Sequence, residues 1–456
     1  MTAHQPDHQA DRQGRQPEDR EFDIVLFGAT GFVGRLTAAY LATQAGTAQT
    51  GAAQTGTTQS GATQTGAVEP GPVLRIGLAG RNQKKLEEVR AGLPAAAADW
   101  PIVVVDAGDE PGLRAMAERT RVVVSTVGPY AKHGLPLVRA CAEAGTDYAD
   151  LTGEVLFVRR SIDAADETAR RTGARIVHSC GFDSIPSDLA VARAAAHARD
   201  HGAGELTDVT THVRRMRGGA SGGTVASARN QFTEARADRS AARTMLNPHA
   251  LDPAQPKGTS TARTDADHAD RRSSRSRFGV EEDGVWFGPF FMASYNEPLV
   301  RRSNALTGGA YGKRFRYREV TDTGRGPRGA LRARALRRLL PLGFAALSLP
   351  ALDRVWDRLL PAAGEGPSEQ VRANGRFLLE AVAETTTGRT VHSRVGAKLD
   401  PGYDGTAVML GQTALALAAG EGDAGHGGVL TPAVALGESL ATRLQGQGFD
   451  VAVWMD

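Results

Sequence analysis

Cysteine is nearly absent from this 456-residue chain: Cys141 and Cys180 are the only two. Two thiols cannot build a disulfide framework, nor by themselves a four-ligand zinc site, and no other residues show a metal-ligand spacing. Aromatic residues are sparse at 5%, too few for a base-stacking platform. Charge of one sign is also missing. The 54 basic and 51 acidic residues leave a net +3, and that balance argues against a nucleic-acid-binding protein. Lysine contributes only six of the basic residues. The hydrophobic fraction is 41% and mean hydropathy −0.30, which excludes both a polytopic membrane protein and a wholly disordered chain. Residues 1–20 are polar, without the apolar core of a signal peptide. They read as a disordered tail on a cytoplasmic protein.

What remains is enough chain for two or three domains. From Phe22 short apolar runs alternate with amphipathic stretches. Strands are expected at Phe22–Phe27, Val73–Ala79, Ile102–Val105, Val122–Val127, Asp147–Ala149 and Arg175–His178. Helices are expected between them, at 32–43, 84–93, 113–119, 135–144 and 155–172. Such alternation makes βαβ units with a buried parallel sheet, a Rossmann-type α/β domain over 21–186. A Gln/Thr/Gly/Ala tract over 45–70 interrupts it and reads as a flexible insertion. Residues 187–400 read as a second α/β domain. Strands are expected at 206–216, 315–320 and 388–398, a helix at 222–237, and a polar loop at 251–277. Residues 401–456 carry helices at 406–419 and 432–445, expected to return onto the first domain.

The chemistry begins at the end of the first strand, with Gly28-Ala-Thr30-Gly31-Phe32-Val33-Gly34. Glycines at this strand-to-helix turn let the backbone approach a pyrophosphate, and the helix N-terminus offers N–H groups and partial positive charge to the anion. At the end of the second strand stands Ala79-Gly80-Arg81-Asn82. An acidic residue there would bind the ribose 2′-OH of NAD; an arginine accommodates a 2′-phosphate, so Arg81 favours NADP(H). After the fourth strand, Thr126-Val127-Gly128-Pro129-Tyr130 would run close to the cofactor. Tyr130, and Tyr148 further on, are candidate proton donors. His133, Asp150 and Glu154 lie nearby, as cap, sheet-edge or substrate-side residues. His178-Ser-Cys-Gly-Phe-Asp-Ser-Ile-Pro-Ser-Asp188 leads into the second domain, and reads as a cleft-lining hinge in which Ser187 or Asp188 caps the next helix.

Together these motifs, with Asp400–Leu410 and Gly427–Phe449, occur in the order found in saccharopine dehydrogenase-like oxidoreductases, which the chain resembles from Asp23 to Phe449. Within them it looks most like the actinobacterial trans-acting enoyl reductase branch. The resemblance implies NADPH-dependent reduction of the α,β double bond of a carrier- or CoA-bound polyketide or lipid intermediate. Its implied partners are an acyl carrier protein or a polyketide synthase. It supplies no catalytic motif. Two other readings stay open: reduction of an imine or carbonyl on a small amino-acid-like substrate, and a non-catalytic NADP(H)-binding, lipid-associated protein. An apolar pocket would favour the enoyl substrate, and convergent Arg or Lys side chains the amino-acid-like one.

One stretch stands apart. Leu339–Leu352 is about 14 apolar residues broken by Pro341 and Pro350, too short to span a bilayer. Arg301–Arg338 before it holds twelve basic and two acidic residues. The plainer reading is a buried helix or hairpin beside a solvated basic face. The other is peripheral contact with a membrane, or docking of an acidic carrier protein.

Overall fold

A computed structural model describes residues 20–50, 73–218, 222–253, 276–347, 349, 366–422 and 427–456. Residues 1–19 of the expected tail, most of the 45–70 tract and most of the 251–277 loop lie outside the described residues, whereas Arg20 does not belong to a disordered tail: it is buried and donates to Thr120 O and Ala144 O. The tract does not begin at Ala45, however, because the first helix continues to Thr50.

The first half runs β1 (Phe22–Phe27), α1 (Phe32–Thr50), β2 (Ile76–Gly80), α2 (Gln83–Ala91), β3 (Ile102–Val104), α3 (Glu110–Glu118), β4 (Thr120–Ser125), α4 (Tyr130–Ala144), β5 (Asp147–Asp150), α5 (Val155–Thr172) and β6 (Arg175–Val177). Strands β1 and β2 are buried along their whole length, as apolar runs covered on both faces must be. All pairings in this sheet are parallel, in the order β13-β6-β5-β4-β1-β2-β3, with β13 (Gly428–Leu430) supplied from near the C-terminus. Without that last strand it is the doubly wound order, with the chain reversing direction between β1 and β4. The crevice outside their carboxyl ends is where such folds take ligands.

The second half supplies α6 (Ile185–Asp200), β7 (Leu206–Arg217), α7 (Gly222–Ala237), α8 (Arg239–Leu246), β8 (Gly279–Val280), β9 (Val285–Pro289), α9 (Ala293–Leu306), β10 (Arg316–Arg325), α10 (Gly326–Leu347), α11 (Glu369–Ala373), β11 (Arg376–Thr385) and β12 (Thr390–Ala397). With β14 (Asp450–Met455) these strands form a mixed sheet, β14-β12-β11-β7-β10-β9-β8, in which only β7 and β10 pair in parallel. Helix α6 lies on β11 and β12, and α10 on β9 and β10. Strands β8, β9, β11 and β14 carry no clear sequence signal. Strand β11 alternates exposed or half-buried with buried residues, and β14 is a short edge strand.

Helix α12 (Thr406–Ala418) lies against α1 and over β1, β4 and β5, so the C-terminal region completes the first sheet as well as the second. The expected helix over 432–445 is broken into α13 (Pro432–Ala435) and α14 (Gly437–Gly446), because Gly437 takes φ +43°. Leu339 and Leu342 on α10 are 63% and 64% exposed, so this part of the apolar stretch is not the buried helix of the plainer reading. Residues 350–352 lie outside the described residues. No helix among the described residues is long and apolar enough to cross a membrane.

Candidate functional site

The glycine turn closes directly onto the sheet. Gly28 N–H donates to Ala79 O at 2.9 Å and Gly31 N–H to Gly28 O at 3.0 Å, before α1 opens at Phe32. Gly28 has φ +94°, and a Cβ there would lie 2.7 Å from both Thr126 Oγ1 and Val127 Cγ2. A Cβ on Gly34 would lie 2.2 Å from Gly28 O. Only hydrogen fits at these two positions. The first turn of α1 contains no acidic side chain to occupy its N–H groups. These features fit the pyrophosphate of a dinucleotide.

Thr126 locks the neighbouring strand end onto this turn. Its N–H donates to Phe27 O at 2.9 Å and its hydroxyl to Gly28 O at 3.0 Å. Val33, Thr126 and Gly128 line one cleft, while Phe32 packs edge-on against Tyr403 at 4.9 Å. Arg81 follows β2, whose Ala79 pairs with Phe27, so it stands beside the turn. Its side chain is exposed, with no partner among the described residues. Asn82 is spent locally, capping α2 by accepting from Lys85 N at 3.0 Å.

The cleft encloses about 150 Å³ between the carboxyl ends of β4, β5 and β6 and the second half of the chain. Leu151, Thr152, Gly153, Ser179 and Phe182 line it from the first sheet, Ser227, Gln231 and Met292 from across. Asp183 is the one charged residue among the described lining residues.

The two tyrosines are placed differently. Tyr130 borders the cleft, but its hydroxyl donates to Ser125 O at 3.0 Å and accepts from Leu151 N at 3.1 Å. Tyr148 is fully buried, outside the cleft lining, and donates to Asp150 Oδ2 at 3.0 Å. Burial, then the nearby Asp150 charge, pushes both phenols well above their ordinary value of 10. Both protons are therefore held by the scaffold.

Asp150, half-anticipated as a sheet-edge residue, is the hub of that scaffold. Its carboxylate takes four partners: Tyr148 Oη, His178 Nδ1 at 2.8 Å, and the N–H groups of Thr152 and Ser179, each at 3.0 Å. His178 Nε2 lies 2.7 Å from Ser161 Oγ. The Asp150–His178–Ser161 series has the hydrogen-bond order of a hydrolase triad, but all three side chains are 1% exposed or less. No substrate reaches that serine, so the series is architectural. Glu154 seats its carboxylate on the start of α4, accepting from the N–H groups of Tyr130 and Ala131, each at 2.9 Å, and from Ser227 Oγ at 2.7 Å. Burial raises its pKa above the usual carboxylate range.

Other expectations change. His133 is the fourth residue of α4 and exposed, so it caps nothing. Cys180, within the hinge motif, is fully buried, its thiol raised well above 9 by burial and donating to Val177 O. Ser187 and Asp188 lie inside α6, whose N-cap is Ser184. Asp188 instead accepts from Ser303 Oγ at 2.5 Å and Ala433 N at 2.8 Å, and burial raises it to about 6. Among the described residues no group of three His, Cys, Asp or Glu side chains could hold a metal. Sequence reasoning missed Ser227, Gln231 and Met292, which reach the cleft only through the tertiary fold. It also passed over Ser179, whose only signal was its place in the hinge motif.

Comparison with known proteins places the chain in a family. Residues 58–178 match the family model of the saccharopine dehydrogenase NADP binding domain. A Mycobacterium tuberculosis protein is 44% identical over 447 residues, covering 94% of this chain and 96% of its own. The trans-acting enoyl reductases of Mycobacterium bovis and Mycobacterium ulcerans are 41% and 40% identical, over 95% of this chain and 97% and 98% of theirs. The structure of a saccharopine dehydrogenase (L-Glu forming) from Saccharomyces cerevisiae superposes with a TM-score of 0.49 at 10% identity, over 95% of this chain and 99% of that one.

Proposed function

Because the chain belongs to the trans-acting enoyl reductase family, built on a saccharopine dehydrogenase-type NADP-binding domain, we propose that it reduces the α,β double bond of an enoyl thioester held in the cleft beside the glycine turn. The chain is an NADP(H)-dependent oxidoreductase, and bound NADPH supplies the hydride. The protein's share is to bind, orient and exclude water. Gly28, Gly31 and Gly34, with Thr30, Phe32 and Val33, hold the pyrophosphate turn. Arg81 would meet the 2′-phosphate, with Asn82 shaping the same turn by capping α2, and Thr126, Val127 and Gly128 would form the wall of the cofactor site beside the glycine turn. The observation that carries the substrate reading is the cleft lining. An amino-acid-like substrate brings a carboxylate, which calls for a convergent cation. Among the described residues the lining offers no Arg or Lys, but Leu151, Phe182 and Met292 for an acyl chain. The cleft lies between the two sheets, so we place the cofactor on residues 21–186 and the substrate between them and residues 187–400.

Titration with NADPH and NADH, followed by cofactor fluorescence, tests the cofactor assignment. Arg81→Ala is expected to weaken NADPH by roughly 10–100-fold, the worth of a charge-assisted hydrogen bond, and to leave NADH unchanged. Equal weakening of both would remove Arg81 as the reader of the 2′-phosphate. Oxidation of NADPH by short enoyl thioesters, followed at 340 nm, tests the reaction. Absence of turnover with tight NADPH binding would favour the non-catalytic reading.

A reductase that acts in trans must meet the carrier of its substrate. We place that contact on α10, where Leu331, Leu339 and Leu342 stand exposed among Arg332, Arg334, Arg337 and Arg338. Such a surface complements an acidic carrier protein, and it is also where any peripheral lipid contact would run. The double variant Leu339→Glu/Leu342→Glu is expected to lower kcat/KM about tenfold on a carrier-bound enoyl chain while sparing a small soluble thioester. Equal loss on both substrates would sink this assignment.

A further inference from the structure

We propose that Ser179 donates the hydrogen bond that stabilises the thioester carbonyl oxygen during reduction, and that Tyr295 is the positioning residue that turns its hydroxyl toward the cleft; this rests on the enoyl reductase reading above.

Ser179 lies in the turn after β6. Among the described residues it is the only non-glycine with positive φ, at 67°. A serine is held in that conformation only by surrounding structure, and such strain concentrates at functional sites. Here two ties over-determine it. Its N–H donates to Asp150 Oδ1, and its Oγ meets Tyr295 Oη, from α9 of the second half of the chain. Tyr295 is 3% exposed, and Ser179 Oγ is its hydroxyl's sole partner among the described residues. If Ser179 donated to Tyr295, the phenol proton would be buried with no acceptor, a costly arrangement. So Tyr295 donates to Ser179, and the serine proton is left for whatever occupies the cleft. Burial raises the Tyr295 phenol well above 10, which keeps it a neutral donor rather than an acid.

All but one of the rival hydroxyls among the described lining residues are already committed. Thr126 donates to Gly28 O, Tyr130 to Ser125 O, Ser227 to Glu154 and Thr406 to Pro401 O. Among the described lining residues Thr152 is the one other hydroxyl that keeps its proton as Ser179 does, while accepting from Glu154 N. The reduction needs one such donor. As the β-carbon gains hydride, the electron pair of the double bond shifts and negative charge collects on the thioester oxygen. A proton from water then adds at the α-carbon and the carbonyl re-forms. The double bond is reduced, NADPH is oxidised, and one proton is consumed. A fixed donor on the cleft wall that meets that oxygen acts where the charge appears.

The test uses the full-length protein with NADPH and the trans-2-octenoyl thioester of N-acetylcysteamine, labelled with carbon-13 at the carbonyl. Ser179→Gly removes the hydroxyl and suits a positive φ, so it is expected to fold. Its kcat should fall about 100–1,000-fold, the range for loss of one oxyanion donor. KM should change less than about threefold, and NADPH binding should persist. The infrared stretch of the bound carbonyl should move up, toward its value in an apolar solvent. Tyr295→Phe should lower kcat by about tenfold, with an intermediate carbonyl shift. Wild-type kcat in Ser179→Gly overturns the assignment of Ser179 alone. So does a carbonyl shift that Thr152→Val abolishes and Ser179→Gly leaves intact. A wild-type protein that turns over no enoyl thioester overturns the reductase reading, and this inference with it.

Discussion

Gly34→Ala is expected to weaken NADPH binding by at least about 100-fold, roughly 2.7 kcal/mol or more. The added methyl would lie 2.2 Å from Gly28 O and 3.0 Å from Ala29 Cα, so its neighbours are backbone rather than movable side-chain tips. Relief requires the turn to shift away from α1. That shift carries off the N–H groups proposed to hold the pyrophosphate, and the overpacking costs about 1–3 kcal/mol of stability as well. Gly31→Ala is the comparison, because a Cβ there meets only Gly28 O, at 3.4 Å. It should leave the melting temperature nearly unchanged, and any lost affinity then reports the approach of the ligand rather than damage to the fold. Fluorescence titration beside thermal unfolding separates the two effects. Wild-type affinity in Gly34→Ala would mean that the cofactor does not use this turn.

Asp150→Ala is expected to cost about 3–5 kcal/mol of folding stability, the range for breaking a buried charged network by removing one partner. Four donors converge on this fully buried carboxylate. Alanine would leave the Tyr148 hydroxyl, the His178 ring and two backbone N–H groups without an acceptor, and each unmet donor carries its own desolvation cost. Tyr148→Phe removes one arm of the hub and should cost only about 1 kcal/mol. Urea unfolding of the three proteins measures the difference. A loss under about 1 kcal/mol in Asp150→Ala would show that the hub is dispensable. The same variant frees the N–H of Ser179, so a folded fraction should bind NADPH yet reduce thioesters poorly.

Much of the first sheet was legible because burial on both faces leaves a strong trace. The strands β1, β4 and β6 are short, mostly β-branched or aliphatic runs bounded by turn signals, while the partly exposed β3 and the Asp-Tyr-Ala-Asp strand β5 were legible from their place between helices, and each of the five lies within two residues of its expected place. The seventh strand was not legible. Gly428–Leu430 is three residues long, and it joins β6 across some 250 positions of chain. The second sheet was only partly legible for a related reason. Its antiparallel strands alternate, and β9 and β10 shift register at Asp322–Gly324, which blurs the period.

The candidate site divides along the same line. By itself the amino-acid sequence determined the glycine turn, the arginine after the second strand, the Rossmann class and the family resemblance. Those features are local: a glycine is needed where one strand meets one helix, whatever the rest of the chain does. Only the tertiary structure decided which hydroxyls remain free to act. Tyr130 and Tyr148 look like donors in a linear reading, yet each proton is taken by Ser125 O or Asp150. Ser179 looks like an ordinary hinge residue until Tyr295, 116 positions away, is folded against it. Whether a hydroxyl proton is available depends on every acceptor within about 3 Å, and those acceptors are gathered by packing rather than by spacing along the chain.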